Sequence, residues 1–434
     1  MSPRLETPIE IGGLHLRNRL YRAPLLECAG DGPDAVDRLI AELEPAAAAG
    51  VGLICQGAMP VRREGGRVAP NMTNLEDPPS ELERLTETIH DHGGLRSLET
   101  WHRAYREENP HLRQLAVSEP PTALKLAEQI GLLNFDFDVL STAEVYDLAA
   151  DFGRCAERAI EAGYDGIHLA GANMGIIQQF LSPYYNRRTD EFGGSLDARI
   201  RFCELIHDEI RERVGNVPLM TKLPSEAAAP PFIRPRLSTA DSITIARRLE
   251  AVGFDAVVPI LGSTFWDMSL VRGEHPDRAW SDSTFQNDYE ATFGSRWRAR
   301  LVTLANRIQA RQYATESVWN AEFCQRVRDA ISIPVLCEGG IRRRSEMDHL
   351  LDSGCAMVGM ARPFYAEPRL PARLLDSTSL QTDPRAVCES CNNCTIPQVT
   401  GAPGICRTPS VLEKRGELQK AGAYERSSTD SEFE

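Results

Sequence analysis

A short phrase recurs along this chain and limits what it can fold into. A helical pattern ends, a glycine follows, and a run of β-rich apolar residues begins. The phrase stands as Ala49-Gly50-Val51-Gly52-Leu53-Ile54-Cys55 and as Ala162-Gly163-Tyr164-Asp165-Gly166-Ile167. It returns at His92-Gly93-Gly94-Leu95, Val252-Gly253-Phe254-Asp255-Ala256-Val257 and Ser353-Gly354-Cys355-Ala356-Met357-Val358. Glycine after a helix is the left-handed cap, because it alone takes positive φ cheaply. Apolar runs without clean alternation suit strands covered on both faces. With the runs that lack the full phrase, eight strands are expected near 20–24, 51–56, 95–100, 165–170, 218–223, 255–260, 333–337 and 355–360. Helical patterns at 142–162, 195–214 and 238–252 lie between them. Eight β–α units with no separate strand-rich domain predict an α/β chain folded as a (β/α)8 TIM barrel, with an open α/β sheet as the alternative.

Two connections are long, 101–141 after the third strand and 261–320 after the sixth. Both leave strand C-terminal ends, the face on which barrels build active sites. The second holds Trp266, Trp280, Trp297 and Trp319, which either form an ordered lid or pack the insertion onto the barrel. The expected organisation is a barrel over 1–380, a cysteine-rich segment over 381–410 and a polar, disordered tail over 411–434.

With 48 Lys+Arg against 62 Asp+Glu, the chain carries a net −14. That argues against a nucleic-acid partner, which needs a basic face, and against an anionic membrane. There is no apolar run of the roughly 18 residues that a membrane span needs, and no signal-peptide core at the N-terminus. A cytoplasmic protein acting on small molecules is expected, with a homo-oligomer allowed.

The stretch Gln179-Phe180-Leu181-Ser182-Pro183, followed by Asn186-Arg187-Arg188-Thr189-Asp190-Glu191-Phe192-Gly193-Gly194-Ser195 and Arg199-Ile200-Arg201-Phe202, resembles the signature of the old yellow enzyme family, the FMN-dependent barrel oxidoreductases. Arg19-Leu20-Tyr21-Arg22-Ala23-Pro24 is similar to the family's first strand. Pro334-Val335-Leu336-Cys337-Glu338-Gly339-Gly340-Ile341 and Met360-Ala361-Arg362-Pro363 are similar to its last two. The resemblance spans about residues 5–410. It implies an NAD(P)H:flavin oxidoreductase that holds FMN and takes NAD(P)H as co-substrate. Hydride from the flavin would then reduce an activated C=C bond.

A flavin phosphate needs backbone amides and a cation, which Gly339, Gly340, Ala361 and Arg362 would supply. The flavin ring needs a cation where negative charge grows on reduction. The family's arginine on strand five is replaced by Lys222, and its glutamine on strand three by Glu99, so a Glu99–Lys222 pair would be a coherent double replacement. Ala23 and Pro24 fall at the family's first-strand ring contact, where Leu26 occupies the position of the usual tuning Thr or Cys. Gln56 and Gly57 read either as ring contacts or as a strand-end turn.

At the substrate site the chain departs from the family. After strand four the usual first donor is Ala170, the second is Asn173, and the tyrosine that donates the proton is replaced by Gly175. Asn173 is the expected carbonyl donor. His102, His168 and Tyr105 are candidate acids, against the plainer reading of hydrogen-bonded barrel residues. Arg272 and Glu274 would bind substrate or stay solvated.

Cys388-x-x-Cys391-x-x-Cys394 with Cys406 is a four-thiolate ligand pattern. It suits a [4Fe-4S] iron–sulfur cluster, and the same four ligands could hold zinc. The segment resembles the cluster segment of 2,4-dienoyl-CoA reductase and trimethylamine dehydrogenase. Those relatives continue into further domains that a chain of 434 residues is expected to lack. A dehydrogenase passing electrons through the cluster is therefore one alternative. A flavin-binding protein without ene-reductase chemistry is another.

Overall fold

The computed structural model describes residues 4–425 except 31, 63–70, 74–80, 102–113, 123–124, 127–136, 266, 314–315 and 377–378. Eight strands form one ring: β1 (Leu20–Arg22), β2 (Leu53–Pro60), β3 (Leu95–Trp101), β4 (Gly166–Leu169), β5 (Leu219–Ser225), β6 (Ala256–Leu261), β7 (Leu336–Glu338) and β8 (Met357–Met360). Neighbours pair in parallel, in spatial order β6-β5-β4-β3-β2-β1-β8-β7. A parallel bridge between Val257 and Val335 closes β6 onto the lead-in to β7, with Val257 N donating to Pro334 O at 3.1 Å. All eight expected strands are present, and the open sheet is excluded by that closing bridge.

Helices follow the strands outside the ring: α1 (Ala35–Ala48), α2 (Leu82–Asp91), α3 (Thr142–Glu161), α4 (Leu196–Val214), α5 (Thr239–Val252), α6 (Ala321–Arg328), α7 (Arg344–Asp352) and α8 (Arg362–Ala366). Ser141 caps α3 in a reciprocal box with Glu144, and Ser238 caps α5 with Asp241, each pair satisfying otherwise orphaned amide donors. Gly50, Gly93, Gly163, Gly253 and Gly354 all take positive φ where a helix turns toward its next strand.

Strand alternation sorts side chains into two layers. Tyr21, Leu53, Cys55, Met220, Val258, Leu336 and Met357 fill the lumen. Ile54, Ile167, Leu219, Val257 and Val358 join the helices in a larger outer core. A hairpin of Ile9–Ile11 with Leu14–Leu16 places Ile11 and Leu16 in the lumen cluster. The polar mouth therefore lies at the strands' C-terminal ends.

Most of the connection after β3 lies outside the described residues; its described part includes a parallel pairing of Gln114–Ala116 with Phe137–Val139. The connection after β6 is an ordered insertion with helices at Asp277–Ser281, Gln286–Thr292 and Arg296–Gln312. Its tryptophans divide between the two expected roles. Trp280 packs with Tyr289 against Ile396 of the cysteine segment, Trp319 lines the main cavity, Trp297 is exposed, and Trp266 lies outside the described residues.

The tail expected from 411 is corrected by a final helix, α9 (Pro409–Lys420). Val411 is buried, and the Tyr424 hydroxyl donates to Glu367 Oε1 at 2.8 Å. The composition misleads here because so few apolar residues anchor this helix, while Pro409 in its first turn pre-sets the helical φ. Residues 426–434 lie outside the described residues. Among the described residues no helix is long and apolar enough to cross a membrane.

Candidate active site

A cavity opens at the barrel mouth. Lys222 from β5, Glu338 from β7 and Gly359 from β8 are among its lining. Beneath it the Tyr21 hydroxyl donates to Glu338 Oε1 at 2.9 Å. The Tyr21 ring takes the space a side chain at Gly359 would need, coming within 2.2 Å of a Cβ placed there. Burial, then the Glu338 charge, raises the Tyr21 pKa well above its ordinary value, so its proton stays in place.

His168 stands on β4 and is fully buried, and among the described residues neither ring nitrogen has a hydrogen-bond partner. Burial, then the Lys222 charge, drives its pKa well below the ordinary histidine value. It stays a neutral imidazole close enough to Lys222 to feel its charge. His168 is not among the residues lining the mouth cavity. Glu99 sits on β3 in register with His168, and its side chain lies outside the description, as do His102 and Tyr105.

Asn173 lines the cavity at φ 59, followed by Met174 at φ 63. Two consecutive left-handed residues are costly for non-glycine side chains. The turn is held because Met174 N donates to Gln178 Oε1 at 2.8 Å, while Gln179 Nε2 donates to Met174 O at 3.0 Å.

On the β1 side, Ala23 is buried in the lumen layer, its amide donating to Met360 O at 2.9 Å, and Pro24 and Leu26 line the cavity. Gln56 corrects the expected ring contact. Its Oε1 accepts from the Tyr164 hydroxyl at 2.6 Å, because alternation along β2 turns residue 56 outward with Ile54. Gly57 donates its amide to Glu27 Oε2 at 3.0 Å, and it and Gln56 border a separate small cavity.

The opposite corner is cationic. Gly339 (φ +109) and Gly340 (φ +76) line it after β7. A Cβ on Gly339 would lie 2.7 Å from the Trp319 ring, so the glycine pair also makes room for the lid tryptophan. Arg272 stacks on that ring at 4.2 Å. Ala361, Arg362 and Arg342 complete the corner. Arg342 is nearly fully buried, donates to Ser390 Oγ at 2.5 Å, and keeps its Nε without a partner. Arg362 donates to Asn392 Oδ1 and to Arg272 O, so it is braced before any ligand arrives.

Cys388, Cys391, Cys394 and Cys406 all line one small cavity, and Arg362 borders both this cavity and the main one. The ligand loop bends through left-handed Ser390 (φ 59) and Asn392 (φ 58). Burial pushes the Cys394 thiol up to about 12, so only a bound metal would hold it as thiolate at neutral pH. Among the described residues no three His, Cys, Asp or Glu side chains converge closely enough for one metal ion.

Four contributors escaped the sequence reading. Asn392 Nδ2 donates to Val271 O (2.8 Å) and Glu274 O (3.1 Å), tying the insertion to the cysteine loop. Thr395 and Gln398 of the same segment line the main cavity. Asp267, in the insertion, also lines the cavity and is nearly buried. Its pKa is raised by burial, partly opposed by hydrogen bonds from Ser269 and Ser263. Asn-Asn between cysteines and an aspartate in a long loop carry no pattern that reports contacts so far apart in sequence.

A closed eight-strand ring with a polar mouth and a cationic corner after β7 and β8 is the frame of a flavin oxidoreductase. Residues 4–250 match the NADH:flavin oxidoreductase / NADH oxidase family, and the chain belongs to it. It is 27% identical over 404 residues to an N,N-dimethylglycine/sarcosine dehydrogenase of Chromohalobacter salexigens, a match covering 92% of this chain and 52% of that protein. It is 26% identical over 421 residues to a 4,4'-dithiodibutanoate disulfide reductase of Rhodococcus erythropolis, covering 96% and 98%. This chain therefore spans about half of the first relative and nearly all of the second. In fold it is similar to the old yellow enzyme homologue of Zymomonas mobilis, with TM-score 0.64 at 20% identity over 94% of this chain and 98% of that one.

Proposed function

We propose that this chain is an FMN-dependent NAD(P)H oxidoreductase, most plainly a reductase of an activated, conjugated C=C bond. The observation that carries the proposal is the single cavity lined both by Lys222 and by the Arg342–Arg362 corner. That donor set fits a flavin mononucleotide. The guanidiniums and the amides of Gly339, Gly340 and Ala361 suit its phosphate, and Lys222 suits the ring's electron-rich edge.

When bound, FMN would supply two-electron hydride chemistry between NAD(P)H and the substrate. Asn173 would donate to the substrate carbonyl and so orient the double bond. The proton for the other carbon would come from Asp267, the cavity-lining carboxyl whose burial favours the protonated form. Trp319 and Leu26 would keep water from the reacting face.

The four cysteines would hold an iron–sulfur cluster. The same four thiolates would also suit a single zinc, at about 2.3 Å from each sulfur. A cluster beside Arg362 favours a second reading, an amine or other substrate dehydrogenase that passes electrons through the cluster. A third reading, a flavin-binding protein without ene-reductase activity, draws on Ala170 and Gly175, which supply no donor. In each case the protein would act on small molecules in the cytoplasm, without a nucleic-acid or membrane partner.

Anaerobic reduction by NADH and NADPH, then reoxidation by enones, disulfides and one-electron acceptors, separates these readings. Enone reoxidation supports the first. Flavin reduction by amines, with electrons leaving only through one-electron acceptors, supports the second. No turnover with any acceptor supports the third.

A further inference from the structure

The insertion helix Arg296–Gln312 presents an apolar stripe that nothing in the described fold covers. Trp297, Leu301, Leu304 and Ile308 are 50%, 45%, 54% and 60% exposed. Their spacing of four, three and four residues places them on one face. The opposite face is already used. Ala299 and Val302 pack on the Trp280–Tyr289–Ile396 core, and Ala310 packs with Met268 and Tyr313. Four large apolar side chains in a row on an outer helix mark an interface rather than the scatter normal to a surface.

We propose that this stripe pairs with the same stripe on a second copy of the chain, the two helices running antiparallel about a twofold axis. The spacing reads the same in both directions. An antiparallel pairing that sets Trp297 against the partner's Ile308 also sets Leu301 against the partner's Leu304. A stripe that is its own complement meets the requirement of a closed twofold contact.

The flanking charges agree. The helix carries five arginines and no acid, in a chain of net −14, which leaves −19 for the rest. Those arginines call for carboxylates opposite them, which the acidic remainder of a second copy can supply. Along one flank lie Arg300 and Arg307, and Arg307 holds the largely exposed Asp277 carboxylate at 2.8 Å. In the antiparallel pair each Arg300 faces the partner's Arg307 and the carboxylate bound to it, so an acid stands between the two guanidiniums. The helix is about 26 Å long at roughly 1.5 Å per residue and about 10 Å across, so the face it offers covers about 260 Å². That is short of the roughly 800 Å² per partner of a standard interface, so a dissociable dimer is expected.

Light scattering after size exclusion of the flavin-loaded full chain, over a range of concentrations, tests the proposal. The wild type is expected at twice the 48.1 kDa chain mass at high concentration. The double variant Leu301→Glu/Leu304→Glu is expected at the single-chain mass, with unchanged circular dichroism and flavin content. Arg300→Asp should weaken the dimer by about tenfold, and adding Asp277→Arg should recover part of that loss. A monomeric wild type overturns the proposal, as does a dimer insensitive to the Leu301/Leu304 pair. A wild type that stays monomeric but co-sediments with vesicles of phosphatidylglycerol and phosphatidylcholine also overturns it, in favour of a lipid surface.

Discussion

The two halves of the barrel mouth are furnished differently. The half built by β5 to β8 is crowded with charge and bracing: Lys222, Glu338, Arg342 and Arg362, with Asn392 tying the corner to the insertion. Among the described residues, the half built by β1 to β4 offers the cavity Pro24, Leu25, Leu26 and Asn173, of which only Asn173 has a polar side chain. The groups suited to grip a flavin phosphate and ring edge are concentrated in the first half. In the second, Ala170 and Gly175 supply no side-chain donor, and the proposed proton source is Asp267 of the insertion. Holding the cofactor and choosing the reaction are thus separable tasks on this scaffold.

The comparison breaks most sharply at Asp267. If the insertion supplies the proton, Asp267→Asn should lower kcat for an enone by about 100-fold or more while flavin content holds. Burial raises this carboxyl's pKa, so wild-type kcat should fall as pH rises through it, and the variant should lose that limb. An unchanged pH profile would move the proton source to solvent.

On the braced half, Arg362→Ala removes a cation together with its bonds to Asn392 and the Arg272 carbonyl. FMN affinity should fall by roughly 30- to 100-fold, the scale of one charge-assisted contact and its bracing. Fluorescence titration measures it, and a change under threefold would mean the corner does not hold the phosphate.

Gly339→Ala sharpens the same side without touching charge. Its new Cβ would meet Trp319 at 2.7 Å from a backbone at φ +109. A loss of about 2 kcal/mol of stability is expected in chemical denaturation, from strain at a positive φ and displacement of the ring.

The smallest effect lies behind β1, where Arg22 is fully buried between Glu27 and Glu42 at 2.9 and 3.0 Å. Burial lifts Glu42 to about 7 from an ordinary 4.5, with Arg22 opposing and Glu27 reinforcing the rise. The folded state then binds this proton more tightly than the unfolded state. Its stabilising contribution is whole below pH 4.5 and is lost as pH rises through about 7. Glu42→Gln should flatten the fall in melting temperature between pH 6 and pH 8.

The scaffold was legible because its signals are local. A glycine after a helix and an apolar run of strand length mark each β–α unit, and β4 at Gly166–Leu169 falls within one residue of the expected bounds. Arg362, Gly339 and the four cysteines were legible because each sits at a fixed place in a short motif. What escaped depends on contacts across the chain. Gln56 faces outward because Ile54 and Gln56 share the face turned to the helices. Asn392 joins segments more than 100 residues apart, and Asp267 reaches the cavity only through the insertion's fold. The final helix was hidden by its polar composition, since Tyr424 on Glu367 is a tertiary anchor.

The central claim is that one flavin lies between Lys222 and the Arg342–Arg362 corner. Titration of the apoprotein with FMN, following flavin fluorescence in the wild type and in Arg342→Ala, tests it most directly. The account predicts saturation at about one FMN per chain and an affinity at least about tenfold weaker in the variant, the loss of one buried charge-assisted contact. Failure of the wild type to bind FMN, or equal affinity in both proteins, would contradict it.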